Sequence, residues 1–177
     1  MGKIEIRALR ESDLSAVAEI HALAFPRQHH SHSWVKCNAG AYPRMRYFVA
    51  CANEANRICG FVLWSEKSGF REQVVLELEQ IAVLPDYRNQ GIGERLIRES
   101  LPMVVDQLLE RGARLKAVIV TTRMDNSAQR LYKKALGAEV EAVISELYSA
   151  DEVIMVSRHP IPPDPTLNTD AQKSHAG

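Results

Sequence analysis

Residues 88–93, Arg88-Asn89-Gln90-Gly91-Ile92-Gly93, set two glycines one residue apart, after an apolar run and at the head of an amphipathic one. A helix N-terminus presents unpaired backbone N–H groups and about half a positive charge, and glycine lets an anion approach them with no Cβ in the way. The turn therefore suits a phosphate, and it serves equally as a tight strand-to-helix connection. Two phosphate patterns fail on the letters. No Gly-Lys-Ser/Thr tripeptide completes a P-loop, and Leu96 stands where a dinucleotide fingerprint needs its third glycine. Just upstream, Glu77 and Glu79 alternate with Leu76 and Leu78, so a strand here sends both carboxylates from one face, which Ile81 and Val83 continue. His29, His30 and His32 have no acidic or cysteine partner at a metal-ligand spacing, so no metal is expected.

These residues need elements to hold them. Residues 3–9 alternate with period two and read as a strand; Ser12, as N-cap, precedes a helix with Leu14, Val17, Ala18, Ile20 and Leu23 at helical spacing, stopped by Pro26. The polar stretch 27–33 leads to a short helix over about 34–41. Strands at 47–52 and 58–65 flank an Ala-Asn-Glu-Ala-Asn turn as a hairpin. A strand at 74–83 runs through the glycine turn into a helix with Ile92, Leu96, Ile97, Val104, Val105, Leu108 and Leu109 on one side; Pro102 predicts a kink or break near Glu99, and Arg111 and Gly112 close the helix. Residues 115–121 form a continuous apolar strand, expected to be buried on both faces. Asp125 or Asn126 caps a last helix to about Leu136, and strands at 140–147 and 153–157 follow.

At 177 residues with 22 basic and 22 acidic side chains, the chain is sized for one domain and carries no global field to attract nucleic acid or an anionic membrane. Its three cysteines, Cys37, Cys51 and Cys59, form no CxxC pair, which points to a reducing, cytoplasmic setting. No run approaches the roughly 18 apolar residues of a membrane span. From His159 onward proline and polar residues dominate, so residues 1–158 read as the domain and 159–177 as a Pro-rich tail.

The string at 83–97, Val-Leu-Pro-Asp-Tyr-Arg-Asn-Gln-Gly-Ile-Gly-Glu-Arg-Leu-Ile, closely resembles motif A of the GNAT superfamily of acyl-CoA-dependent N-acetyltransferases, whose core is [QR]-x-x-G-x-[GA]. The likeness extends to residues 6–14, to the element order and to 126–139, covering residues 3 to about 158. It implies an α/β (α+β) fold: a mixed, mostly antiparallel sheet of about seven strands, splayed at the fourth and fifth, flanked by about four helices. It also implies acetyl-CoA as co-substrate, without a metal. The pyrophosphate and 3′-phospho-ADP would sit on the amides of Asn89, Gln90, Gly91, Ile92, Gly93 and Glu94, beside Arg88 and Asn126, and pantetheine would pair with the backbone of Ile81, Ala82 and Val83 as an added strand.

By the same resemblance, Glu77 falls where some members carry a general base, Glu79 lies nearer the scissile bond, and either could act through a water. The Ile81 N–H, freed by a local bulge, would polarise the carbonyl. Tyr132 would face the sulfur, though the altered spacing from Asn126 to Gly137 leaves Lys133 as the other candidate, since one residue turns a helix by about 100°. The segment carrying Arg27, His29, His30, His32 and Trp34 would border the acceptor. The implied activity is acetyl transfer to a primary amine, small molecule or peptide, in a ternary complex. The alternative is a non-catalytic acyl-CoA-binding module. Expected partners are the amine acceptor and, as a candidate only, a second copy in a homodimer; nucleic acid and membrane are not among them.

Overall fold

The computed structural model describes residues 3–52 and 57–158. The elements run β1 (Ile4–Ala8), α1 (Leu14–Ala24), α2 (Ser31–Gly40), β2 (Met45–Ala52), β3 (Arg57–Glu66), β4 (Gln73–Val83), α3 (Ile92–Glu110), β5 (Arg114–Arg123), α4 (Gln129–Leu136), β6 (Glu139–Ile144) and β7 (Glu152–Ser157). The strands make one sheet in the order β1-β2-β3-β4-β5-β7-β6, antiparallel throughout except for the β4/β5 pair. This is the mixed, splayed sheet with four helices that the resemblance implied. The expected tail, 159–177, and the hairpin's turn residues 53–56 lie outside the described residues; the hairpin pairing itself is present.

The sheet separates two cores. On one face α1 and α2 bury Val17, Ala18, Ile20 and Val35 against Tyr47, Val49, Phe61 and Leu63. On the other, α3 and α4 bury Leu96, Ile97, Leu101, Val104, Tyr132 and Leu136 against Phe48, Val62, Trp64, Leu76 and Leu78. Each helix supplies one apolar stripe to a half-buried strand face, as amphipathic periodicity requires.

Several local expectations shift. Ser12 lies in a 3₁₀ turn and α1 starts at Leu14, because the Asp13 carboxylate accepts the Arg10 N–H (2.8 Å) and pairs with Arg7 (2.6 Å). Leu23 and Leu109 have the right spacing yet lie at the surface. Helix α2 begins earlier than expected, after His30 in the left-handed region (φ 58°). Helix α3 runs unbroken through Pro102. The proline removes one amide, that facing the Arg98 carbonyl, on the exposed side, while the fully buried Leu96, Ile97, Val104 and Leu108 anchor both halves. Strand β5 is buried on one face through Val118, Val120 and Thr122, but only in part on the other, where Ala117 is buried and Ile119 and Thr121 are half-buried. Strand β6 ends at Ile144, so Leu147 belongs to the loop before β7. Among the described residues no helix is long and apolar enough to cross a membrane.

Candidate active site

The site begins with a fault in the sheet. Strands β4 and β5 pair from Gln73/Arg114 only as far as Glu77/Ile119, and beyond that point they part. On its other edge β4 carries a bulge: Trp64 faces Leu78 and Leu63 faces Gln80, leaving Glu79 without a partner. An extra residue exchanges the two faces of a strand. Val74, Leu76 and Leu78 pack on the α3/α4 side, whereas after the bulge Ala82 packs on the α1/α2 side and Ile81 and Val83 turn to α3/α4. The expectation that Ile81 and Val83 continue the face of Glu77 is thus overturned by one inserted residue.

The splay opens a cleft of about 750 Å³ between β4 and β5. Its floor is β4 from Leu78 to Val83. The Leu84 N–H donates to the Cys59 carbonyl (2.8 Å), so alternation turns the backbone groups of Ile81 and Val83 toward the cleft and those of Ala82 toward β3. The Val83 carbonyl is met by Arg88 Nε (3.0 Å) and the Asp86 carbonyl by Gln90 Nε2 (3.0 Å), which staple the glycine turn. Asn89 (φ 59°) and Gly91 (φ 76°) both take the left-handed region there, and only glycine does so without strain. Gly91 is the N-cap of α3 and has no side chain to bond the first amides, which stay available on the cleft wall. Gly93 is needed for another reason: a Cβ there would come within 3.2 Å of Leu131 Cδ2 on α4.

The two glutamates differ. Glu77 accepts hydrogen bonds from Lys67 Nζ (2.7 Å) and Thr121 Oγ1 (3.0 Å) and does not line the cleft. Glu79 lines it, has no hydrogen-bond partner among the described residues, and is held above the usual carboxylate range by burial and by the charge of Glu77. Tyr132 is buried against the cleft, where desolvation pushes its phenol up to about 12. Lys133, its neighbour, lies at the surface paired with Glu139 (3.0 Å). Asn126 does not cap α4 as expected: the helix starts at Gln129 with Ala128 as its N-cap and no side-chain cap, and Asn126 instead closes the turn before it, accepting the Ala128 N–H (2.9 Å) and donating to Thr122 Oγ1 (2.8 Å). Asp125, the other cap candidate, pairs instead with Arg123 (2.7 Å) at the surface.

Of the residues singled out in the sequence, the cleft brings together Glu79, Ile81, Ala82, Val83, Arg88, Asn89, Gly91, Ile92, Gly93, Glu94, Asn126 and Tyr132, while Glu77 and the exposed Gln90 are not part of its lining. Sequence reasoning missed Ala24 and Phe25 at the end of α1, and Arg130 and Lys134 on α4. The last two are four apart and share a helix face, a spacing that solvated helices also show. Lys134 is held by Glu94 (2.6 Å), which Arg98 also engages (3.0 Å). Arg27, on the loop between α1 and α2, donates to Ser149 Oγ (2.6 Å), joining that loop to the β6–β7 loop.

A family model described as acetyltransferase (GNAT) family matches residues 14–138. Among solved structures, the ribosomal-protein-S18-alanine N-acetyltransferase of Escherichia coli is 23% identical, with 94% of this chain and 100% of that chain covered and a TM-score of 0.64. NAA60 of Arabidopsis thaliana, in complex with a bisubstrate analogue, is 20% identical over 87% and 97% of the two chains, with a TM-score of 0.71. An aminoglycoside 6′-N-acetyltransferase complexed with coenzyme A is 15% identical over 90% and 99%, with a TM-score of 0.68. A search of the curated proteins gives no match.

Proposed function

This chain belongs to the acetyltransferase (GNAT) family, and from that premise we propose that it transfers an acetyl group from acetyl-CoA to a primary amine, of a small molecule or a peptide, by direct attack in a ternary complex. The observation that carries the reading is the cleft at the β4/β5 splay, where a bulged strand, a turn with unclaimed amides and a buried tyrosine meet. These residues fit the co-substrate: an uncapped helix N-terminus for its pyrophosphate, Arg130 and Lys134 for its further phosphate, and the strand edge at Ile81 and the Val83 N–H for its amide-bearing arm, the Val83 carbonyl being already met by Arg88. When bound, acetyl-CoA supplies an electrophilic carbonyl on a thiolate leaving group.

Glu79 is the base. Burial and Glu77 make its carboxylate more basic, and it takes the proton of the incoming ammonium directly or through one water. Glu77, held by Lys67 and Thr121, is poorly suited to that task and instead tunes Glu79. The Ile81 N–H bonds the carbonyl oxygen as it gains charge. Glu79 passes the ammonium proton to solvent before attack; the new C–N bond then forms as C–S breaks, the second proton on nitrogen goes to the thiolate directly or through Glu79, giving the amide and the free thiol, and Tyr132 hydrogen-bonds the departing sulfur. A phenol near 12 passes its proton to a thiolate of pKa about 8.5 only at a cost of about 5 kcal/mol, so Tyr132 stabilises the leaving group by hydrogen bonding rather than by protonating it.

The test is thiol release from acetyl-CoA over a panel of octapeptides with free N-terminal Ala, Ser or Met, an Nα-blocked lysine peptide, spermidine and kanamycin. Turnover is expected with at least one amine. Glu79→Gln should lower kcat/KM about a hundredfold and Tyr132→Phe about tenfold, with acetyl-CoA affinity by calorimetry unchanged. Acetyl-CoA binding with no thiol release from any amine would make the chain a non-catalytic acyl-CoA sensor instead.

A further inference from the structure

One buried polar group lies directly after the bulge and has no part in the mechanism above. Gln80 is 7% exposed, on the face where α1 and α2 pack, among Phe61, Leu63 and Ala82. Its carboxamide is saturated. Oε1 accepts the Trp34 Nε1–H (3.2 Å), and Nε2 lies 3.1 Å from Gln28 Oε1 and 3.1 Å from His21 Nε2. An indole nitrogen only donates, which fixes the amide's orientation; Nε2 must then donate to His21, so His21 is neutral with its proton on Nδ1, bonded to Ser31 Oγ (2.9 Å). Burial favours that neutral form. Three side chains, His21 of α1, Gln28 of the connecting loop and Trp34 of α2, are thereby tied to one atom group on β4, with Ser31 joined through His21.

The geometry points to Gln80 as the positioning residue that sets the α1–α2 segment against the bulge. It rests on the reading that the amine approaches Glu79 from this side. Ala24 and Phe25 line the cleft on that side, while the glycine turn and α4 occupy the opposite one. Gln80 is adjacent to Glu79 on the cleft floor, and with its carboxamide held by His21, Gln28 and Trp34 its side chain fixes the distance between base and acceptor wall. Gln28 is exposed and contributes little packing, so its bond to Gln80 acts on the loop alone.

The experiment uses the full chain with Gln28→Ala, Trp34→Phe and Gln80→Glu. Ring ¹⁵N shifts of His21 should report the Nδ1–H tautomer in the wild type, moving to an Nε2-protonated ring in Gln80→Glu, whose carboxylate only accepts. Amide exchange at residues 25–30 should quicken about tenfold in Gln28→Ala, at an unfolding midpoint close to wild type. With the panel amine of highest kcat/KM, KM for the amine should rise about fivefold in Gln28→Ala while KM for acetyl-CoA stays within twofold. An Nε2–H tautomer in the wild type, or unchanged loop exchange in Gln28→Ala, overturns the proposal, and neither arm needs an acceptor. Both KM values rising together, or neither moving, also overturns it and leaves the acetyltransferase reading standing. Absence of turnover with every amine overturns that reading alone, and the tautomer and exchange arms then decide this one.

Discussion

Glu77 and Glu79 look interchangeable as letters, two apart on one strand, yet their surroundings give them different chemistry. Lys67 and Thr121 hold the Glu77 carboxylate by hydrogen bonds, and half-buried Glu79 is left without a partner beside it. The Lys67 ammonium also draws Glu79 down, so it sets where the base titrates. Lys67→Met should leave Glu77 uncompensated and move the acidic limb of the kcat/KM profile to higher pH, whereas Glu77→Gln should move it lower. A profile that stays in place in both variants would remove Glu79 from the role of base. Lys67 was not recoverable from sequence, because nothing in the spacing of 67 and 77 shows that β3 and β4 fold them together.

At the scale of elements, the turn and the bulge divide the work of building the cleft. Gly91 and Gly93 are required for different reasons, one conformational and one steric. Gly91→Ala, forced to hold φ near +76° with open space around its Cβ, should lose about 1 kcal/mol in urea denaturation. Gly93→Ala should lose less, because Leu131 yields by a few tenths of an ångström. It should nonetheless raise KM for acetyl-CoA several-fold, since that shift displaces α4 beside Tyr132 and Arg130. Equal effects on both quantities in the two variants would contradict this division. Pro102 is the counterexample to local reasoning: a residue that breaks isolated helices is accommodated because the packed stripe of α3 outweighs one missing hydrogen bond.

For the molecule as a whole, buried His21 and half-buried Glu79, which flank Gln80, pull stability in opposite directions with pH. The folded state depresses His21 below its ordinary 6.5, so its stabilising contribution is complete above that pH and is lost as pH falls below it. The folded state raises Glu79 above 4.5, so stability present below that pH is lost as pH rises through the folded value. Over pH 7 to 5, above the range in which the paired carboxylates Asp13 and Glu94 titrate, the urea midpoint should therefore fall in Glu79→Gln, where the His21 contribution acts alone, and rise in His21→Gln, where that of Glu79 does. Glu79→Gln should be more stable than wild type at pH 7.5, with the difference vanishing toward pH 4.5. The sequence by itself determined the element order, the two glycines of the turn and half of the residues that line the cleft, because periodicity and turn chemistry are local. Only the tertiary structure decided where β4 and β5 part, that one unpaired residue reverses the faces of β4, that Glu79 and not Glu77 looks into the cleft, and that Gln80 holds α1 and α2 in place. Each of these depends on strand register and burial, which arise from contacts between segments far apart in the chain.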